Sequence, residues 1–218
     1  MSERATEALV DALAAQARPV APLPPPARRA ALILVPILLA GAGLVLVAGD
    51  VRGLLARYAG REPLMAVEMA AMLATALVAV VAAFAASVPG RSRLWRLAPL
   101  PPLLVWLGAS GLGCLGDLSR LGARGWTAGH GGDCLIFILG AGLPIGTLLL
   151  WRLSRARPIE PLPVALLGGL GAAALAAFLL QFFHPFGLTP IDLAVHFGAV
   201  ALIVGLASLS RRRALAPA

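Results

Sequence analysis

The sequence predicts an all-α membrane protein: a bundle of six transmembrane helices preceded by a short amphipathic helix. Hydrophobic residues occupy 60% of the 218 positions and charged residues only 13%. A soluble domain has roughly 45–50% apolar and about 25% charged residues, so a soluble core of this size could not bury the excess. The apolar residues also form six runs, each near the length of about 20 residues that a helix needs to cross the hydrocarbon core.

Residues 1–29 precede the first apolar run and are predicted to form a cytoplasmic arm. A helix is predicted over residues 2–17, because acidic residues recur every four positions and apolar residues share another face. Pro19 ends this helix, since the residue before a proline avoids the helical region. A polyproline-like stalk follows, up to Pro26. The acidic face holds Glu3, Glu7 and Asp11, and the apolar face holds Leu9, Val10, Leu13 and Ala17.

The transmembrane domain is predicted to occupy residues 30–213, and residues 214–218 form a short cytoplasmic tail. Prolines within the spans are compatible with helices in a membrane, where neighbouring helices can satisfy the released backbone groups. The six predicted spans cover residues 30–49, 64–86, 98–116, 131–151, 161–183 and 191–209.

The arginines predict the orientation. All 18 basic residues are arginine, and 13 of them fall in the arm, in the second and fourth loops and after the last span. Because loops rich in basic residues stay on the cytoplasmic side, both termini are predicted to be cytoplasmic. The net charge of +8 could suggest nucleic-acid binding. The arginines, however, lie in short clusters between the apolar runs, which is the pattern of membrane topology. No direct nucleic-acid partner is therefore predicted.

Polar residues gather near the predicted outer ends of the spans. They could form a sensory or metal site, since cysteine, histidine and carboxylate suit zinc or copper. Several also have structural explanations. Thr189 and Asp192 form a helix-capping pattern around Pro190, and Asp133 opens a span in a similar way. The group comprises Glu68, Cys114, Asp117, His130, Asp133, Cys134, His184, Asp192 and His196.

The roles of four of these residues stay open in the sequence. Glu68 fits an interfacial acid or an interhelical hydrogen bond, and His196 fits a bond across helices or a ligand. Cys114 and Cys134 could form a disulfide in an oxidising compartment or remain two buried thiols.

Motifs of common enzymes do not occur. The sequence contains no GxSxG, Walker-type loop or HExxH, and its two cysteines form no CxxC pair for a zinc site. No enzyme activity, cofactor or metal is therefore predicted.

The sequence leaves several alternative functions open: a small transporter or channel, a metal-sensing membrane protein, and a membrane enzyme using His184, Asp192 and His196. The transporter is disfavoured, because no charged helix pair occurs in mid-membrane.

Three stretches of the sequence are informative together. The first is the arm from Leu9 to Arg29. The second is Gly132-Asp133-Cys134-Leu135, followed by Leu143-Pro144, and the third is residues 184–197 with the arginines that follow. In their order and spacing among six spans, these stretches resemble the NrsF family of bacterial membrane proteins, the negative regulators of sigma-F. Two features differ. Pro185 stands where members typically carry a cysteine beside the histidine, and the family's tryptophan in the last span is absent. Cys134 therefore matches one of the family's paired cysteines, and the second has no counterpart.

The resemblance implies a six-span anti-sigma factor of the bacterial inner membrane. Such a protein holds an extracytoplasmic-function (ECF) sigma factor and releases it on a stress signal. The partner-binding residues would be Glu7, Leu9, Val10, Asp11, Leu13, Pro19, Val20 and Leu23, and the sensing residues Cys134, Cys114, His184 and Asp133. An alternative for the arm helix, binding along the bilayer surface, is disfavoured because the anionic inner leaflet repels its acidic face.

Overall fold

The structure, a computed structural model, describes residues 3–17, 23–59, 63–122, 131–183 and 189–215, and every regular element in these ranges is helical. A 3-10 helix, Arg93–Arg96, precedes α5. The α-helices are α1 Glu3–Gln16, α2 Pro26–Ala48, α3 Val51–Ala59, α4 Leu64–Ala86, α5 Leu100–Leu121, α6 Gly131–Ser154, α7 Pro161–Leu180 and α8 Pro190–Ala214.

Six of these helices, α2 and α4 to α8, are long and apolar enough to cross a membrane. Each overlaps one of the six predicted spans, and together they indicate a multi-pass membrane protein. The prediction of an all-α fold with a short N-terminal helix is confirmed.

The helix ends differ from the predicted bounds in places. Helix α5 continues to Leu121, past the predicted end at residue 116, and α7 ends at Leu180 rather than at residue 183. Helix α3 was not predicted, because its sequence is short and carries two arginines. Its first turn is held by Asp50, whose Oδ1 accepts a hydrogen bond of 2.8 Å from the Gly53 amide. The Asp50 amide donates to the carbonyl oxygen of Phe182 at 2.7 Å, which ties this turn to the end of α7.

Helix α7 forms the centre of the bundle and packs against α4, α6 and α8. It can do so because small residues line much of its surface, which lets neighbouring backbones approach closely. A Cβ atom added at Gly169 would lie 2.9 Å from the Ala207 Cβ and 3.0 Å from the Val204 Cα of α8. On the opposite side, one added at Gly171 would lie 2.6 Å from the Val80 Cγ2 of α4. Helix α5 packs on α4 and α8, and α2 packs on α4.

The bundle has two ends. One end, here called the arm end, contains the start of α2 and the segments 87–99 and 155–160. The other, the far end, contains α3 and the starts of α4, α6 and α8. Two loops at the arm end are joined by an ion pair, in which Arg96 Nη2 lies 2.6 Å from Glu160 Oε2.

This ion pair predicts a pH dependence. The hydrogen bond from Arg96, and the charges of Arg96 and Arg93, lower the pKa of Glu160 from its ordinary value of 4.5. Because the pKa is lower in the folded state, the stabilisation is fully present above the unfolded pKa. It is lost as the pH falls through the folded value. We expect the melting temperature of Glu160→Gln to lie slightly below that of the unmodified protein at neutral pH, since exposed ion pairs contribute little. The two melting temperatures should converge below pH 4.5; a difference that persists in acid would contradict this assignment.

Candidate functional site

The arm helix α1 exposes an apolar face. Leu9, Val10 and Leu13 are 50%, 58% and 60% exposed, and the acidic residues Glu7 and Asp11 on the neighbouring face are exposed as well. Helix α1 takes no part in the main contacts between the described helices. Large apolar side chains grouped on an exposed helix are typical of a surface that binds another molecule. The helix itself follows the prediction, starting one residue later and ending one residue earlier.

The stalk joins the arm to the bundle. Of its predicted partner-binding residues, Pro19 and Val20 lie outside the described residues, and Leu23 is 54% exposed. Pro25 has extended backbone, with φ −50° and ψ 142°, and Pro26 begins α2. A proline suits the first turn of a helix, because its missing N–H has no partner there in any case. The arm therefore continues directly into the first membrane-spanning helix.

A set of buried polar side chains lies in the far-end half of the bundle. This far-end polar cluster consists of Glu68, Ser110, Cys134, Asp192 and His196, which are all buried. The Ser110 hydroxyl donates a hydrogen bond of 2.6 Å to Glu68 Oε1 and thereby joins α5 to α4. The structure thus decides between the two alternatives for Glu68 in favour of an interhelical hydrogen bond. Sequence reasoning missed Ser110, whose only signal is a hydroxyl between small residues in an apolar span.

Helix α8 begins with the predicted capping box. The Asp192 amide donates to Thr189 Oγ1 at 3.1 Å, and the Thr189 amide donates to Asp192 Oδ2 at 3.2 Å. One turn later, His196 Nδ1 lies 2.8 Å from the carbonyl oxygen of Asp192, which can only accept, so Nδ1 carries the hydrogen. Asp192 is close enough to Cys134, and Glu68 to His196, for electrostatic interaction.

The predicted sensing residues are not assembled into a single site within the described part. Cys134 is fully buried in α6 and Cys114 is 6% exposed in α5, while Asp133 is exposed in the first turn of α6. His184 and His130 lie outside the described residues. Helix α5 packs mainly on α4 and α8, whereas α6 packs on α7 and α8. This arrangement agrees with two buried thiols. Among the described residues, no three His, Cys, Asp or Glu side chains could hold a metal ion together.

The bond between Glu68 and Ser110 can be tested by a double-mutant cycle. Interhelical hydrogen bonds in membrane proteins average about 0.6 kcal/mol and reach about 1.7 kcal/mol. This bond is short and buried, so we expect a coupling energy near 1.5 kcal/mol between Glu68→Ala and Ser110→Ala. The measurement is the free energy of unfolding in detergent for the unmodified protein, both single variants and the double variant. Strictly additive losses would mean that the two side chains do not interact.

A family model described as "Negative regulator of sigma F" (NrsF) matches residues 13–216, nearly the whole chain. The chain belongs to the NrsF family. This name implies a negative regulator of a sigma factor, and regulators of this kind are not normally enzymes. The match includes Leu13, Pro19, Val20 and Leu23, whereas the first ten of the fourteen residues of α1 precede it. Comparison with curated proteins and with solved structures gave no significant match.

Proposed function

We propose that this NrsF protein is a membrane-bound anti-sigma factor that sequesters an ECF sigma factor through its arm and releases it on a stress signal. The observation that carries the proposal is helix α1. It exposes an apolar face and an acidic face, and it is tethered through the stalk to a bundle of membrane-spanning helices. In a family of sigma-factor regulators, such an exposed segment is the natural binding surface for the sigma factor.

The proposed topology puts the arm in the cytoplasm of a bacterium, where sigma factors act. Support comes from the arginines, which are concentrated at the arm end, including Arg91, Arg93, Arg96, Arg152 and Arg155. Loops with this excess of basic residues remain cytoplasmic. The protein would then lie in the inner membrane with both termini inside, and with the far end facing outward.

Binding would combine apolar contact with charge competition. Leu9, Val10 and Leu13 would enter a groove on the sigma factor, as the apolar face of an amphipathic helix does in other helix-in-groove complexes. Glu7 and Asp11 would meet basic surface that otherwise contacts DNA phosphates, so that arm and promoter compete. The stalk residues Pro19, Val20 and Leu23 would extend the contact toward the membrane.

Release would begin at the far end. We propose Cys134, Cys114, His184 and Asp133 as the sensing residues, with the burial of Cys134 within electrostatic range of Asp192 as support. A change in charge or covalent state at this buried position would favour a different packing of α6 against α8. To reach the arm, the signal must bias two packing states of the bundle.

Co-purification tests the partner assignment. An ECF sigma factor from the same bacterium should be recovered from detergent-solubilised membranes with the full-length protein. It should be lost when residues 1–17 are removed, because the exposed apolar face is then missing. Removal of residues 216–218 serves as the matched truncation and should leave recovery unchanged. Equal recovery with and without residues 1–17 would reject the arm as the binding segment.

A further inference from the structure

A small basic pocket lies at the arm end, between the start of α2, the end of α4 and the end of α6. Its volume is about 150 Å³. Three arginine side chains line it together with apolar residues from the stalk, α2 and α4, and no acidic side chain is among the described lining residues. The lining comprises Leu23, Arg29, Leu32, Ile33, Phe84, Arg152 and Arg155.

Aromatic rings hold these guanidinium groups in position. The Arg29 guanidinium carbon lies 5.0 Å from the ring centroid of Phe84, and Arg29 also donates to Ser87 Oγ at 3.5 Å. The guanidinium carbons of Arg152 and Arg155 lie 5.0 Å and 4.4 Å from the ring centroid of Trp151. Such cation–π contacts stabilise an arginine without neutralising its charge. The pocket therefore presents three ordered positive charges, whereas Arg96 at the same end is paired with Glu160.

The apolar part of the pocket continues into the membrane-facing surface of α2. Leu32 is 65% exposed, and further along the helix Val35 and Leu39 are 52% and 68% exposed. In a bilayer this surface contacts acyl chains. A ligand that uses the whole site must therefore combine an anionic head, at the level where the helix enters the membrane, with an apolar tail.

We propose that this pocket binds an anionic phospholipid, with the headgroup phosphate between Arg29, Arg152 and Arg155 and an acyl chain along α2. Guanidinium groups match phosphate oxygens through paired hydrogen bonds, and basic pockets between transmembrane helices are typical sites for such headgroups. A free phosphate would leave Leu32 and Ile33 unused. The lipid proposal does not rest on the proposed sigma-factor binding. The two share one residue, because Leu23 of the stalk also lines the pocket.

Lipid binding can be measured by native mass spectrometry of the full-length protein in a neutral detergent. Phosphatidylglycerol and phosphatidylcholine with identical acyl chains are the two probes. We expect one phosphatidylglycerol molecule to bind tightly and phosphatidylcholine to bind at least about tenfold more weakly. Equal affinity for the two lipids would overturn the proposal, and this comparison needs no variant.

Substitutions of the pocket arginines test whether the lipid binds in this pocket. Arg152→Gln with Arg155→Gln should weaken phosphatidylglycerol binding about 25-fold, since each arginine near a membrane surface strengthens binding to an anionic lipid about fivefold. Both side chains project from the bundle, so the fold should be retained. Arg91→Gln with Arg213→Gln removes the same charge from exposed positions outside the pocket and should have little effect. An equal loss in both pairs would show general charge attraction and overturn the pocket.

Two further measurements distinguish a lipid from other ligands of the pocket. Excess inorganic phosphate should leave the lipid bound, because it lacks the apolar tail; complete displacement would contradict a lipid site. Capture of the sigma factor is measured in parallel on the same variants. If the Arg152 and Arg155 substitutions abolish capture without changing phosphatidylglycerol binding, the pocket belongs to a protein partner and the lipid proposal fails. Loss of lipid binding with capture retained supports the lipid site alone.

Discussion

Replacing Leu9 and Leu13 by aspartate is expected to release the sigma factor while the protein stays in the membrane. The two leucines are 50% and 60% exposed on α1, which takes no part in the main contacts between the described helices, so the substitutions should leave the bundle intact. Burying a leucine side chain at an interface contributes about 1.5–3 kcal/mol, and a buried carboxylate adds a desolvation cost. Together the changes should weaken binding at least about 100-fold. Transcription of the sigma factor's target genes should rise to the level seen without the regulator.

The matched control makes the same change elsewhere at the arm end. Leu94 and Ile159 are 74% and 78% exposed, and Leu94→Asp with Ile159→Asp adds the same negative charge outside the arm. This control should keep target genes repressed. Unchanged repression in a stably expressed variant of the two arm leucines would refute the arm as the binding surface.

Gly169→Leu is expected to be the most damaging single substitution for the bundle. Even a Cβ atom at this position would lie 3.0 Å from the Val204 Cα and 2.9 Å from the Ala207 Cβ. Neither neighbour can rotate away, because one belongs to the backbone and the other is attached directly to it. Helices α7 and α8 must separate, and overpacking of this kind typically costs about 1–3 kcal/mol. We expect Gly169→Leu to lower the free energy of unfolding by at least the upper value of this range. The change is measured as a lower melting temperature in detergent.

Gly198→Leu is the control for this substitution. Gly198 lies in α8, is exposed, and has nothing within 4 Å of an added Cβ, so a leucine there would face lipid at little cost. If both variants melt at the same temperature as the unmodified protein, α7 and α8 do not approach as closely as described. Because the arm is remote from Gly169 in the chain, loss of repression by Gly169→Leu should follow loss of folded protein in the membrane.

Local patterns in the sequence were sufficient to predict several features of the structure. The six spans follow from apolar runs, the arm helix from a repeat of acidic residues, and the start of α8 from Thr189, Pro190 and Asp192. In each case the forces that form the element act within one or two helical turns. The sequence also supplied the family resemblance, and the match over residues 13–216 confirms it. The orientation of the helices in the membrane and the roles of the sensing residues stay predictions.

Composition and periodicity determined that this chain forms membrane-spanning helices and begins with an amphipathic helix that has an acidic face. The tertiary structure alone decided which remote residues meet. It paired Glu68 with Ser110, packed α8 against Gly169, and brought Arg29 near Arg152 at the arm end of the bundle. The physical reason is that burial in a membrane requires every span to be apolar, so hydropathy marks the spans but says little about their faces. Which faces pack together depends on shape and on a few hydrogen bonds between residues far apart in the chain.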